Sequence, residues 1–489
     1  MRIAIASASF PSRQDEDPVF PATWELARAL RRLGHELLVM TFCNEADPED
    51  TEREVQIDGI RVLRKRRDKS KYAAFSGSPV FTIFSWQAGR ARELFVKCAD
   101  ALSEFKPDVL ECQEFNGLGF FFGAQHKCPL VVRCYGPASM FMRSGDIGKF
   151  SLVDVELTEA MELATLNAAD GLIAVSHDIA ERLSGLSERP LADFRVIRLP
   201  LTVPEALQAK CNRRSADDFP VLFFWGRVER QKGADLLIDA LPEVVAKYPR
   251  ARLWIGGSES VEHGEPVPYA VTMRSKLDEL GLSDRVSFLG FLERKEIRER
   301  VSEADICLFP SHYETGCYTA LEALCDSGCV LAGRVGGLAE YQSHGESAWL
   351  VEPADGHALA EGIVRLSDDQ ALRTRLSQSG REHVAAVCNP EKIAIESLKA
   401  YEEAIEHFAS RQAKADLPFK TLTEHIGLAL EDKTAGDTYH EICQEYLSQA
   451  WHAGYEAAML AAKNNNGTEA GLFEQLLSVA RRLKRKLNI

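Results

Sequence analysis

Nowhere does this chain stay apolar for the about 20 residues that a membrane-spanning helix needs. The uncharged stretch Tyr72–Gly89 comes nearest, and Ser, Thr, Gln, Pro and two Gly interrupt it. A compact cysteine framework is missing as well. Twelve cysteines lie scattered from Cys43 to Cys443 without a C-x2-C pair for zinc. Cys325 and Cys329 fall in an Ala/Leu-rich segment, where cysteine acts as a small buried hydrophobe. Reduced thiols of a cytosolic protein fit this usage. Positive charge is in deficit: 58 Lys and Arg against 73 Asp and Glu give a net charge of −15. That balance excludes general nucleic-acid affinity, which needs cationic surface to displace counterions. It leaves room for a local basic pocket that takes a phosphorylated small molecule. The sequence also has no H-E-x-x-H, no G-x-S-x-G elbow and no Walker loop, so zinc-protease, serine-hydrolase and ATPase readings lack support.

What the chain does have is length and alternation. Its 489 residues suggest two or three domains, and 45% hydrophobic with 27% charged residues is ordinary globular composition. Disordered, collagenous and coiled-coil classes are excluded. Met-Arg-Ile-Ala-Ile-Ala reads as a first strand, Arg2–Ala8, rather than a secretory signal. Leu26, Leu30 and Leu33 predict a helix over Thr23–Leu33, stopped by Gly34. Strands are expected at Glu36–Phe42, Asp108–Cys112, Leu130–Cys134 and Gly171–Ser176. A Pro-bearing, polar linker follows from Pro204 through Asp218. A second series then starts with a strand at Val221–Trp225 and a helix from Gly233 to about Val245. It continues with strands at Leu253–Gly257, Val286–Gly290, Ile306–Pro310 and Val330–Gly333. This is an α/β pattern of two doubly wound, Rossmann-like domains facing a cleft, with ligands at the carboxyl ends of the strands. The expected division is 1–205, 206–389, a helix at 390–410 returning towards the first domain, and a helical C-terminal extension at 411–489.

The extension breaks at Asn464–Gly467 and ends in an amphipathic helix, Leu472–Ile489. Leu472, Phe473, Leu476, Leu477, Ala480, Leu483 and Leu487 share one face, and Arg481, Arg482, Lys484, Arg485 and Lys486 form a cationic stripe. Such a helix suits peripheral contact with an anionic membrane face, or packing against the body or a second subunit.

Chemistry concentrates in the second half. In residues 309–324 a strand ends, a loop carries Glu314, and a helix opening near Tyr318 carries Glu322 eight residues on. A helix N-terminus facing a cleft attracts anions, because its free N–H groups and dipole point at the ligand. In residues 224–240 another strand–loop–helix unit places Arg227 and Lys232 where cations reach phosphate oxygens. A Gly336-Gly337 turn opens a further helix at 334–341.

In order, these segments read F-x-G-R-x4-K-G, F-L-G-F, P-S-x2-E-x7-E-A and G-G-x2-E across residues 220–355. Together they resemble the retaining family-4 (group 1) glycosyltransferases of the GT-B fold. Residues 1–200 match in pattern only, including Ala168–Ser176. The resemblance implies a hexosyltransferase that uses a nucleotide-diphosphate sugar as co-substrate, with no cofactor and no metal. Arg227 and Lys232 would neutralise the leaving diphosphate and Glu314 would hold the donor sugar, the three being the catalytic set. Glu322 would bind the ribose, and backbone at Gly226, Gly316, Cys317 and Tyr318 would face sugar and phosphate. Gly290, Phe291 and Leu292 would lie against the base. The acceptor would be a saccharide or lipid-linked hydroxyl, as in polysaccharide or glycolipid assembly, in the cytoplasm or at the inner face of a membrane.

The chain departs from the family pattern in places. Thr315, Gly316 and Cys317 displace the glycine after the first Glu by one, and Cys329 replaces the proline after Gly328. Tyr135-Gly136 stands where many members have histidine and glycine, and the first loop, Ser9–Pro21, holds Asp15-Glu16-Asp17 in place of a glycine pair. That acidic run is a D-x-D in form and reads as a solvated loop. His312 lies near Glu314 in sequence, either at the site or on the surface. A sugar-nucleotide epimerase, a phosphorylase-like enzyme and a non-catalytic sugar-nucleotide-binding protein stay open as alternatives.

Overall fold

The first strand, β1 (Arg2–Ala6), sits near the middle of an eight-stranded sheet in the computed structural model. The structure describes residues 1–11, 21–44, 50–67, 82–125, 127–144, 150, 152–187, 189–204, 219–259 and 266–411. The acidic run Asp15-Glu16-Asp17, nearly all of the expected linker, and 412–489 with the amphipathic helix lie outside the described residues. The other strands of the first sheet are β2 (Glu36–Phe42), β3 (Arg53–Ile57), β4 (Ile60–Lys65), β5 (Val109–Gln113), β6 (Leu130–Cys134), β7 (Gly171–Ala174) and β8 (Phe194–Val196). Their order is β3-β4-β2-β1-β5-β6-β7-β8. All neighbours are parallel except the β3–β4 hairpin. A second, wholly parallel sheet contains β9 (Val221–Trp225), β10 (Arg252–Gly256), β11 (Val286–Gly290), β12 (Ile306–Phe309), β13 (Val330–Gly333) and β14 (Trp349–Val351). Its order is β11-β10-β9-β12-β13-β14. Both sheets reverse strand order beside their first strand, and doubly wound sheets bind ligands at that crevice.

Helices cross over between the strands. In the first half these are α1 (Pro21–Arg32), α2 (Thr82–Phe105), α3 (Phe120–Gln125), α4 (Ala138–Ser144), α5 (Leu152–Ala168) and α6 (His177–Leu186). In the second half they are α7 (Ala234–Lys247), α8 (Tyr269–Leu280), α9 (Arg294–Glu303), α10 (Tyr318–Cys325) and α11 (Gly336–Glu340), then α12 (Gly356–Asp368), α13 (Gln370–Val387) and α14 (Pro390–Arg411). Among the described residues no helix is long and apolar enough to cross a membrane.

Most expected elements recur with ends shifted by one or two residues. The first strand stops at Ala6 because the next hydroxyl turns the chain: Ser7 Oγ donates to Ser9 O at 2.8 Å. The β3–β4 hairpin was not anticipated from apolar content. Its outer strand is half exposed and charged, yet Asp58 (φ 50°) and Gly59 (φ 74°) form the two-residue left-handed turn that Asp-Gly favours.

α14 leaves the second half and packs on the first sheet. Ile393, Ala394, Ala400, Tyr401 and Ala404 join the core beneath β1, β5 and β7. A buried polar cluster fixes the docking. Arg133 on β6 makes a two-point bridge to Glu111 on β5 at 3.0 and 2.9 Å. Tyr401 Oη donates to Glu111 at 2.6 Å, and Ser397 Oγ accepts from Arg133 at 2.9 Å. A second buried pair, Arg64 with Asp50, ties β4 to the carbonyls of Phe10 and Pro11. Removing one partner of a buried pair strands the other charge, and such losses cost about 3–5 kcal/mol. Glu111→Ala is therefore expected to lower stability by about that amount. The measurement is guanidinium unfolding, and a wild-type midpoint would show that the bridge contributes nothing.

Glu114, just past β5, is fully buried and accepts from Gly136 N at 2.5 Å. Burial outweighs that bond and pushes its carboxyl from 4.5 up to about 7. The folded state therefore holds a proton that the unfolded chain releases. This contribution to stability is complete below pH 4.5 and is lost as pH rises towards 7. Glu114→Gln should flatten the pH dependence of the melting temperature over this window, and an unchanged slope would mean that Glu114 titrates normally.

Candidate active site

Two loops at the carboxyl ends of β9 and β12 build the site. The exit of β9 is crowded by backbone. Gly226 adopts φ 150°, and a Cβ on neighbouring Gly257 would lie 1.7 Å from the Gly226 carbonyl oxygen. The chain then makes a 3-10 turn, Arg230–Lys232, closed by Gly233 at φ 75°. A Cβ there would meet the Pro310 carbonyl at 2.1 Å, so only glycine lets the two loops touch.

The loops are joined from end to end. His312 N donates to Gln231 O at 3.0 Å, and Gln231 Nε2 donates to Tyr313 O at 2.8 Å. His312 Nε2 lies 3.0 Å from both carboxylate oxygens of Asp235, at the start of α7. Lys232 Nζ contacts Glu314 Oε1, and the same oxygen accepts from Ser311 Oγ at 3.1 Å. Burial disfavours the Lys232 ammonium, but the Glu314 carboxylate beside it holds its pKa above the ordinary value. Lys232 and Glu314 thus meet directly. Arg227 is 55% exposed and reaches Glu229 Oε1 at 2.9 Å.

Glu322 lies one turn inside α10, and Arg294 at the start of α9 comes within 3.6 Å of it. Gly290 ends β11 at φ 69°, Leu292 packs at the position a Gly256 Cβ would need, and Phe291 is 79% exposed. The displaced glycine has a steric account. Gly316 runs against Leu199, whose Cδ1 would sit 2.5 Å from an added Cβ. Cys317 takes the left-handed backbone instead, at φ 27°, and Tyr318 starts α10 with its hydroxyl donating to Pro200 O at 3.2 Å.

The Gly336-Gly337 pair lies against this loop. Gly337 N donates to Glu314 O at 2.9 Å, and Cβ atoms at Gly336 and Gly337 would meet the carbonyls of Glu314 and Thr315 at 2.4 and 1.9 Å. The first domain faces the loop from the other side: Thr315 Cγ2 lies where a Gly136 Cβ would go, 2.7 Å away. Of the expected residues, Lys232, Glu314, Gly316 and Cys317 converge. Asp235, Gln231, Arg294 and Ser311 were missed. Their partners lie 77 residues away for Asp235 and 82 for Gln231, a distance at which no spacing rule operates. Among the described residues no group of His, Cys, Asp and Glu could hold a metal ion.

Known proteins match both halves. The family model "Glycosyl transferase 4-like domain" matches residues 21–200, and "Glycosyl transferases group 1" matches residues 209–383. An uncharacterized glycosyltransferase from Methanocaldococcus jannaschii is 27% identical over 394 residues, covering 78% of this chain and 93% of that protein. The sucrose-phosphate synthase structure from Thermosynechococcus elongatus superposes with a TM-score of 0.64 at 22% identity, over 84% of this chain and 99% of that one. HepE from Anabaena, solved with UDP-glucose, gives a TM-score of 0.59 at 19% identity, over 84% of this chain and all of that one. With the two sheets, their facing loops and both halves matched, the chain belongs to the group 1 glycosyltransferases and has the GT-B fold.

Proposed function

We propose that the protein transfers a hexose from a nucleotide-diphosphate donor to an acceptor hydroxyl, with retention at the anomeric carbon. The observation that carries this reading is the meeting of Lys232 and Glu314 from two separate loops at the strand ends. A cation and a carboxylate set side by side suit a ligand with diphosphate at one end and sugar hydroxyls at the other. The Anabaena neighbour bound to UDP-glucose supports a donor of that class.

In this reading a donor phosphate oxygen takes the place of Glu314 beside Lys232, and Glu314 turns to the sugar hydroxyls. The bond from the anomeric carbon to the phosphate oxygen breaks with its electron pair going to the phosphate. The acceptor oxygen bonds to the same face, and its proton passes to the leaving phosphate oxygen. Lys232 and the exposed guanidinium of Arg227 meet the growing negative charge, which removes the need for a metal. Glu322 holds the ribose equally in ground and transition states. The acceptor is a saccharide or lipid-linked hydroxyl of polysaccharide or glycolipid assembly. The basic amphipathic pattern of 472–489 supports peripheral contact with the inner face of a membrane.

The first test is incubation with a panel of nucleotide sugars, with and without EDTA, following donor hydrolysis or transfer. One donor class should turn over at equal rates in both. Epimerised donor, phosphate-dependent sugar release, or binding without turnover would overturn the reading. The second test separates binding from chemistry. Lys232→Ala and Arg227→Ala should each lower kcat about 100-fold, because an electrostatic donor to developing charge is worth about 3 kcal/mol. Glu322→Ala should mainly raise the donor KM. Wild-type kcat in both cation variants would remove this loop from the leaving-group site.

A further inference from the structure

The fourth motif does more than shape a turn. Glu340, the last residue of α11, belongs to the second domain, yet its carboxylate caps a helix of the first. Its Oε2 accepts from His177 N at 2.9 Å and its Oε1 from Asp178 N at 2.7 Å, the first two amides of α6. Arg198 Nη1 donates to the same carboxylate at 2.8 Å. Amides at a helix start have no partner within the helix, and the dipole there favours an anion. The helix's own cap, Ser176 Oγ, accepts from Ile179 N at 3.3 Å. Glu340 therefore completes a helix end that its own domain leaves half satisfied.

Neighbouring side chains secure the same seam. Tyr341 is fully buried, donates from its hydroxyl to Val175 O at 2.8 Å, and accepts from Leu199 N at 2.8 Å. Tyr313 Oη donates to Asp178 Oδ2 at 2.5 Å, under the guanidinium of Arg182. The opposite end of α11 grips the site, where Gly337 N holds Glu314 O. This five-residue helix is too short to bend, so a shift at one end is felt at the other.

We propose that Glu340 is a positioning residue that clamps the first domain onto the second and, through α11, holds the backbone of the Glu314 loop in place at the site. The kinetic part rests on the sugar-transfer reading, whereas the clamp itself does not. When the clamp opens, the amides of α6 are released and the Glu314 loop loses one wall. The expected nucleotide-binding residues, Gly290 to Leu292 and Glu322, all lie in the second domain, so UDP binding is retained.

The experiment uses the full chain and its Glu340→Ala and Glu340→Gln variants, each checked for folding by circular dichroism. Glu340→Gln keeps one carbonyl oxygen, so it stays measurable if the alanine variant does not fold. Hydrogen exchange of peptides spanning 176–183 should accelerate about tenfold or more, and small-angle scattering should show a larger radius of gyration. With UDP as the probe, the Kd should change less than about threefold while kcat falls at least about tenfold, Glu340→Gln lying between wild type and Glu340→Ala. Unchanged exchange and radius would overturn the clamp whatever the activity. Faster exchange and opening with wild-type kcat would overturn the positioning role. If wild type turns over no donor, the sugar-transfer reading fails, and exchange and scattering still decide the clamp.

Discussion

The peptide between Glu314 and Thr315 is held so closely that its neighbours must be glycines. Gly336 and Gly337 lie under the Glu314 and Thr315 carbonyls, Gly136 faces the Thr315 methyl, and Gly233 touches the strand end from which the loop departs. Every one of these contacts would place a Cβ under 3.0 Å from another atom. Close packing of this kind leaves the loop one path, and that path sets Glu314 against Lys232. The site is thus a consequence of backbone approach first and of side-chain charge second.

That approach joins the two domains. Ala22, Val175, Leu199 and Leu201 of the first domain share a core with Phe223, Phe309, Ala320 and Tyr341 of the second. The chain crosses between the domains twice, and the crossings bond to each other, Leu201 N to Cys388 O at 2.8 Å. The seam combines apolar burial with charge-assisted bonds at Glu340, two terms with different reach. Burial resists separation in any direction, whereas the carboxylate at the start of α6 specifies one orientation.

Much of the fold was legible because alternation, glycine stops and apolar runs are local signals. The strands Glu36–Phe42, Leu130–Cys134, Val221–Trp225, Val286–Gly290 and Val330–Gly333 read correctly to the residue. Half-exposed β3 was not visible as a strand, since its arginine and glutamate hide the apolar alternation, although its Asp-Gly turn was in plain view. In the site, Lys232, Glu314 and Glu322 stood out through ordered motifs. The glutamate of G-G-x2-E was seen as part of a pattern with no partner to give it meaning.

Sequence alone determined the α/β class, the two-part organisation, the family motifs and the identity of the charged residues at the strand ends. Each of those depends on spacings of a few residues along the chain. Tertiary structure alone decided which charges meet. Glu340 finds its amide 163 residues away, and Tyr401 finds Glu111 across 290. Such pairs leave no trace in local periodicity, because what brings them together is the packing of two sheets and the returning helix.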